Sequence, residues 1–180
     1  YKNNNFGGSK SYHVLGKYND YYGIYWHEDN FGSMHYAEYN DKLGMKIFLW
    51  SQSREGEIWK DLLTDNDGQY IELQSGKIFN QPASTSAYTP YKHPSFGPMD
   101  TESWEEYWYP VHNTRGAVKS NNYGTLNVLR EDNYLKLFFC PLEKIDTELK
   151  IYNRDSLIHT FLLKADALVN WKDSISLTSD

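Results

Sequence analysis

Three short runs carry the residue types that could do chemistry. The first is Tyr70-Ile71-Glu72-Leu73-Gln74. Read as a strand, it puts Tyr70 and Glu72 on one face and turns Ile71 and Leu73 toward a core. A carboxylate beside a tyrosine on an open sheet face suits sugar recognition or general acid–base work. A solvated strand glutamate is the plain alternative, and the spacing leaves both open. The second run is Glu102-Ser103-Trp104-Glu105-Glu106-Tyr107-Trp108-Tyr109-Pro110. As a strand, Trp104, Glu106 and Trp108 share one face, and Glu105, Tyr107 and Tyr109 share the other. Indole rings flanking a carboxylate suit a pyranose, whose C–H faces stack on aromatics while its hydroxyls donate to a charged acceptor. Tryptophans in a core and glutamates in water form the competing reading, which carries more weight for any single residue. The third run is Gly32-Ser33-Met34-His35-Tyr36-Ala37, a strand-like stretch whose imidazole could donate a proton. A lone strand histidine is more often simply hydrogen-bonded in place.

Other site chemistries find little support. The six histidines show no HExxH or two-His-one-carboxylate spacing, and there is no CxxC, so no zinc site is implied. There is no GxSxG elbow and no Walker glycine-lysine loop, and Gly7-Gly8-Ser9 lacks the context of a phosphate cradle. Asp65-Asn66-Asp67-Gly68 looks like a calcium loop at first. Placing Gly68 at the invariant sixth position of an EF-hand puts Leu63 first and Gln74 twelfth, where oxygen donors of the carboxylate kind belong. A turn into the following strand is the better reading. A different calcium site on Asp65 or Asp67 is a weak alternative. No metal and no cofactor are expected.

Composition narrows the partners. The chain has 180 residues, enough for one domain with a sizeable core. Leu, Ile, Val and Phe make only about a fifth of it, near the level associated with disorder. The 16 Tyr and 6 Trp compensate, because each buries a large apolar body and keeps one polar handle. A mean hydropathy of -0.74 and the lack of any long apolar run exclude a membrane-spanning helix. The formal net charge is -6 and no Lys/Arg cluster appears. Nucleic acid and anionic membrane surfaces are therefore not expected as partners. Cys140 stands alone, so no internal disulfide can form and the fold must rest on packing. The compartment stays open between bacterial cytoplasm and cell envelope, and oligomeric state is not legible. The sequence begins at Tyr1 with no apolar leader segment after it, as expected of a processed chain or an excised piece.

The elements that must position these residues are strands. Thr125–Arg130 alternates and ends in the turn-forming Glu131-Asp132-Asn133; Tyr134–Cys140 then puts Leu135, Leu137 and Phe139 on one face. Glu148–Tyr152 and Leu157–Leu163 flank Asn153-Arg154-Asp155-Ser156 as a hairpin, and Ser174–Thr178 alternates again. Earlier, Tyr21–Trp26, Ser33–Tyr39, Met45–Trp50 and Gln69–Gln74 are short aromatic-rich strands. Only Ser103–Tyr109 and Lys164–Val169 could pass for short helices, and the first is equally good as a strand. Between Phe79 and Glu102, Pro82, Pro90, Pro94 and Pro98 prevent a regular ladder. A loop of that length usually serves as a lid or a binding loop. The whole reads as an all-β antiparallel sandwich or barrel.

Taken together, these segments resemble a known group. The run Gly32–Ala37, the strand Leu43-Gly44-Met45-Lys46-Ile47-Phe48-Leu49-Trp50, Trp59, Leu63–Gly76, Asn80-Gln81-Pro82, Glu106-Tyr107-Trp108-Tyr109-Pro110-Val111 and Thr125–Arg130 follow one another in a familiar order. That order resembles an uncharacterised bacterial domain family often fused to tetratricopeptide repeats. The family is similar in fold to galactose mutarotase (aldose 1-epimerase) and related carbohydrate-active supersandwich domains. The resemblance spans about Tyr21 to Cys140 and continues more loosely to the C-terminus. It implies a large antiparallel β-sandwich with a sugar-sized groove on its concave sheet. It also implies that residues 1–180 form a single domain that is the later part of a larger supersandwich. Mutarotases use a histidine acid and a glutamate base, for which His35 and Glu72 are the nearest candidates.

The leading expectation is a carbohydrate-recognising domain of a bacterial sugar-utilisation protein. Trp50, Trp59, Trp104 and Trp108 would be its stacking platforms, with Glu72, Gln81 and Glu106 as hydroxyl partners. An enzyme of the glycoside hydrolase or aldose epimerase class, using Glu72 with Glu106 or His35, is the second expectation. An interaction module without sugar binding is the third.

Overall fold

The computed structural model describes residues 10–14, 19–50, 54–63, 70–76 and 97–177. Along the chain run β1 (Lys10–Val14), β2 (Tyr21–Trp26), β3 (Phe31–Tyr36), β4 (Gly44–Leu49), α1 (Ile58–Leu63), β5 (Glu72–Gly76) and β6 (Tyr107–His112). There follow β7 (Lys119–Asn121), β8 (Gly124–Glu131), β9 (Tyr134–Pro141), β10 (Ile145–Asn153), β11 (Ser156–Ala165) and β12 (Trp171–Ser176). The described strand pairings are all antiparallel. The protein is all-β, with several antiparallel sheets of the kind that make a sandwich. It divides into two compact units, one of residues 1–19 and 38–105 and the other of residues 20–37 and 106–180.

The first unit holds the sheet β1-β4-β5 and the helix. Met45 and Leu49 of β4 are buried. Lys46 lies opposite Gln74, and Phe48 opposite Glu72. Paired residues share a face, so β5 presents Glu72 and Gln74 beside Lys46 of its neighbour.

The second unit is layered. The four-stranded sheet β12-β9-β8-β7 is its middle layer. Period-two alternation gives β9 two apolar faces. Cys140 on one face meets Met34, Tyr109 and Val111 of the three-stranded sheet β2-β3-β6. Leu135 and Leu137 on the other face, with Ile175, meet Phe161 of the β10–β11 hairpin. Gly23 allows β2 to lie close against β3, since a Cβ there would collide with the Ser33 carbonyl and the Met34 sulfur. The two-residue connection from β8 to β9 places Asp132 at φ 51°, a conformation Asp tolerates better than most residues.

The expected strands of both halves are present, with ends displaced by a few residues. The Asn153–Ser156 segment does connect a hairpin, with Arg154 at φ 52°. The helical option at Lys164–Val169 fails, because β11 runs through Ala165 and a turn follows it. The helical option at Ser103–Tyr109 fails as well, because β6 begins at Tyr107. The helix α1 went unrecognised. Six residues are too few for a helical period to show against a background of short strands.

Candidate functional site

The second unit builds its site on the sheet β2-β3-β6. The pairing register lines up Tyr22 of β2, His35 of β3 and Trp108 of β6 in one row across the sheet. The His35 ring lies 4.5 Å from the Trp108 ring and 4.9 Å from the Tyr22 ring, and Trp108 meets Tyr22 edge-on at 6.0 Å. Glu106, two residues before Trp108, accepts a hydrogen bond at 2.9 Å on Oε2 from His35 Nε2. The imidazole is fully buried, while Glu106 is about a quarter exposed and Trp108 is 47% exposed. A histidine below the surface therefore holds a carboxylate that reaches the surface beside an open indole. Burial, together with the Glu106 carboxylate, pushes the Tyr22 phenol well above its ordinary pKa. The Tyr22 hydroxyl is buried and has no hydrogen-bond partner among the described residues.

The opposite face of the same strands anchors the row. Tyr109 and Val111 are buried with Met34, and Tyr107 packs with Tyr36 at 6.0 Å between ring centres. The Tyr109 hydroxyl bonds Ser120 Oγ at 2.7 Å and donates to the Asn121 carbonyl at 2.9 Å. The alternation expected of the 104–109 run thus holds from Glu106 onward, while residues 103–106 precede the strand. Trp108 and Glu106 lie on the site face, and Tyr107 and Tyr109 on the core face.

The first unit has a cluster around Glu72. Tyr70 donates a hydrogen bond to Glu72, and so does the side-chain amide of Gln74. Partial burial and the Glu72 carboxylate both hold the Tyr70 phenol above its ordinary pKa. Burial lowers the pKa of Lys46, against the attraction of Glu72. Next to this group runs an aromatic row: Trp50 and Trp59 rings are 5.3 Å apart, and Trp59 and Tyr70 rings 6.4 Å. The Trp59 indole N–H and the Gln74 amide oxygen are buried without hydrogen-bond partners among the described residues. Trp104, 49% exposed, carries the Lys42 ammonium 4.2 Å from its ring centre.

The sequence candidates are therefore distributed. His35, Glu106 and Trp108 are together in one unit, and Glu72, Trp50, Trp59 and Trp104 belong to the other. Gln81, the acidic run Asp65–Asp67 and the proline-rich stretch up to residue 96 lie outside the described residues. Sequence reasoning missed Tyr22 and Lys46. The signal for Tyr22 was the aromatic-rich strand Tyr21–Trp26, but the strand register that sets it beside His35 is not written in either strand alone.

Residues 1–111 match the domain of unknown function DUF5107. The chain belongs to that family. The matched residues take in β1 to β5 and nearly all of β6, hence both carboxylate clusters, while β7 to β12 lie beyond them. No solved structure matches the chain.

Proposed function

We propose that this DUF5107 chain is a carbohydrate-recognising domain of a bacterial sugar-utilisation protein. On this reading its sandwich is of the galactose mutarotase-like supersandwich kind and its protein is one of those joined to tetratricopeptide repeats. The observation that carries the proposal is the 2.9 Å His35–Glu106 pair beside the half-exposed face of Trp108. Pyranose recognition needs an apolar plane for C–H groups and a fixed acceptor for hydroxyls. Trp108 supplies the plane. Glu106 supplies the acceptor, and the buried imidazole fixes its orientation, so less side-chain entropy is lost on binding. Exposed indoles at Trp26, Trp104 and Trp108 weigh against a pure interaction module whose aromatics are all core.

Isothermal titration against a panel of mono- and oligosaccharides tests this. Heat with at least one sugar is expected, and Trp108→Ala should weaken that binding about tenfold or more while leaving the fold intact. Absence of heat with every sugar would overturn the proposal.

One observation favours an enzyme as the second reading. The acid–base partner of Glu106 in its own unit is a histidine rather than a second carboxylate. That pair suits proton shuttling at an anomeric hydroxyl, the chemistry of an aldose epimerase, better than the two-carboxylate chemistry of a glycoside hydrolase. A pH-dependent acceleration of anomer exchange, lost in Glu106→Gln or in Glu72→Gln, would establish it. Unchanged exchange rates at all pH values would exclude it.

A further inference from the structure

The row Tyr22–His35–Trp108 is one of three on the same sheet face. Stepping two residues along each strand gives the row Ile24–Ser33–Pro110, and two more give Trp26–Phe31–His112. Paired residues in an antiparallel sheet project to the same side, and so do residues two apart along a strand. All nine side chains therefore belong to one face of β2-β3-β6.

Each end row carries exposed aromatic rings. Trp108 is 47% exposed at one end; Trp26 and Phe31, at 47% and 44%, form a second exposed pair at the other. The Trp26 and Phe31 rings are 6.2 Å apart and within 21° of parallel. At the strand rise of about 3.3 Å per residue, the four-residue step separates these platforms by ~13 Å along the strands. The row between them is low. Ser33 contributes a short hydroxyl side chain and Pro110 a flat ring, which its edge strand tolerates. The sheet end beside the second platform is tied down. His112 Nε2–H donates to the Leu168 carbonyl at 3.1 Å, while Nδ1 accepts from the Asn113 side-chain amide at 3.0 Å. The backbone N–H of Asn113 in turn donates to the Asn30 carbonyl at 2.7 Å. Two aromatic platforms, a floor of Ile24, Ser33 and Pro110 between them and a carboxylate at one end make an elongated surface. It is longer than one pyranose ring.

We infer that the ligand of this face is an extended oligosaccharide, seated with one sugar ring on Trp108 beside Glu106 and another on the Trp26–Phe31 pair. The inference rests on the sugar reading above and names its substrate class: a linear glycan rather than a monosaccharide. Two stacking subsites joined by one covalent ligand act with high effective concentration, so chain length should raise affinity.

A glycan array carrying mono-, di-, tri- and hexasaccharides of the common pyranoses, probed with the full chain, tests the inference, with titration of the best series in solution. Apparent affinity should rise at least about tenfold from the monosaccharide to the hexasaccharide. Trp26→Ala and Phe31→Ala, made separately, should each remove most of that gain. Trp108→Ala should weaken every member of the series. Thermal melts of the variants confirm that they fold, as the half-exposed rings lead one to expect. Equal affinity across the series, or a hexasaccharide gain that survives both Trp26→Ala and Phe31→Ala in folded protein, overturns the extended-ligand inference while the sugar reading stands. Binding of no glycan overturns both.

Discussion

Glu106 and Glu72 sit in similar sequence surroundings, each on or beside a strand with aromatic residues two positions away, yet the structure treats them differently. Glu72 is satisfied largely by its own stretch of chain: Tyr70 and Gln74 both donate to it, with Lys46 across the sheet as a nearby charge. Glu106 is held by His35, which lies 71 residues away in sequence and is fully buried. One carboxylate is fixed by neighbours two residues distant and the other by a long-range pairing. A locally satisfied group costs the fold little to keep and little to lose. A group tied to a buried partner couples the surface to the core, and this makes the Glu106 cluster the stronger site candidate.

The largest expected effect separates the two directly. His35→Ala should destabilise the chain by about 2–4 kcal/mol, because it opens a cavity beneath Trp108 and leaves Glu106 without that partner. Glu72→Ala should cost about 1 kcal/mol, in line with a part-buried polar cluster held by local neighbours. Urea unfolding of both variants measures this, and similar losses would erase the distinction. A finer measurement is a pair of double-mutant cycles. Coupling between His35 and Glu106 should reach about 1–3 kcal/mol, that of a hydrogen bond to a charged group, while Lys46 and Glu72 should couple by about 1 kcal/mol at most.

The smallest effect concerns Tyr22, which borders the Glu106 cluster. Its phenol pKa is raised in the folded protein, by burial first and Glu106 second. The folded state therefore keeps a proton that the unfolded chain releases near the ordinary tyrosine value of about 10. Stability from this source is intact below that pH and declines as pH climbs past it. Tyr22→Phe should flatten the alkaline decline, and at neutral pH should be neutral or stabilising by up to about 1 kcal/mol, because it removes a buried hydroxyl without a partner. Thermal melts of the two proteins from pH 8 to pH 11 provide the check. Tyr109, whose phenol is raised by burial as well, should leave part of the decline in place.

Much of the strand content was legible because alternation and turn residues are local. Leu135 and Leu137 were placed on one face of their strand by spacing alone, and that is where the hairpin packs. The face of Trp108 and Glu106 was legible for the same reason. Lys10–Val14 and Lys119–Asn121 were not read as strands: the first is mostly exposed and the second only three residues long, so neither offers a periodic apolar signal. Trp59 lies on a helix that local pattern does not reveal, since α1 is too short to show a period.

The sequence by itself determined which side chains share a face within each strand, since backbone geometry imposes a period of two whatever the neighbours do. It also determined the all-β class, through β-branched and aromatic runs broken by turn residues. Only the tertiary structure decided which of two possible faces met water and which strand lay alongside. Nothing within Gly32–Ala37 specifies Glu106 as the partner of His35, or Trp108 as the ring above it. Those relations follow from the register of β3 against β6, and register is fixed by burying Met34, Tyr109 and Val111 together. A slip of one residue would turn Trp108 inward and Tyr109 outward, so packing on the far side of the sheet sets the chemistry of the near side.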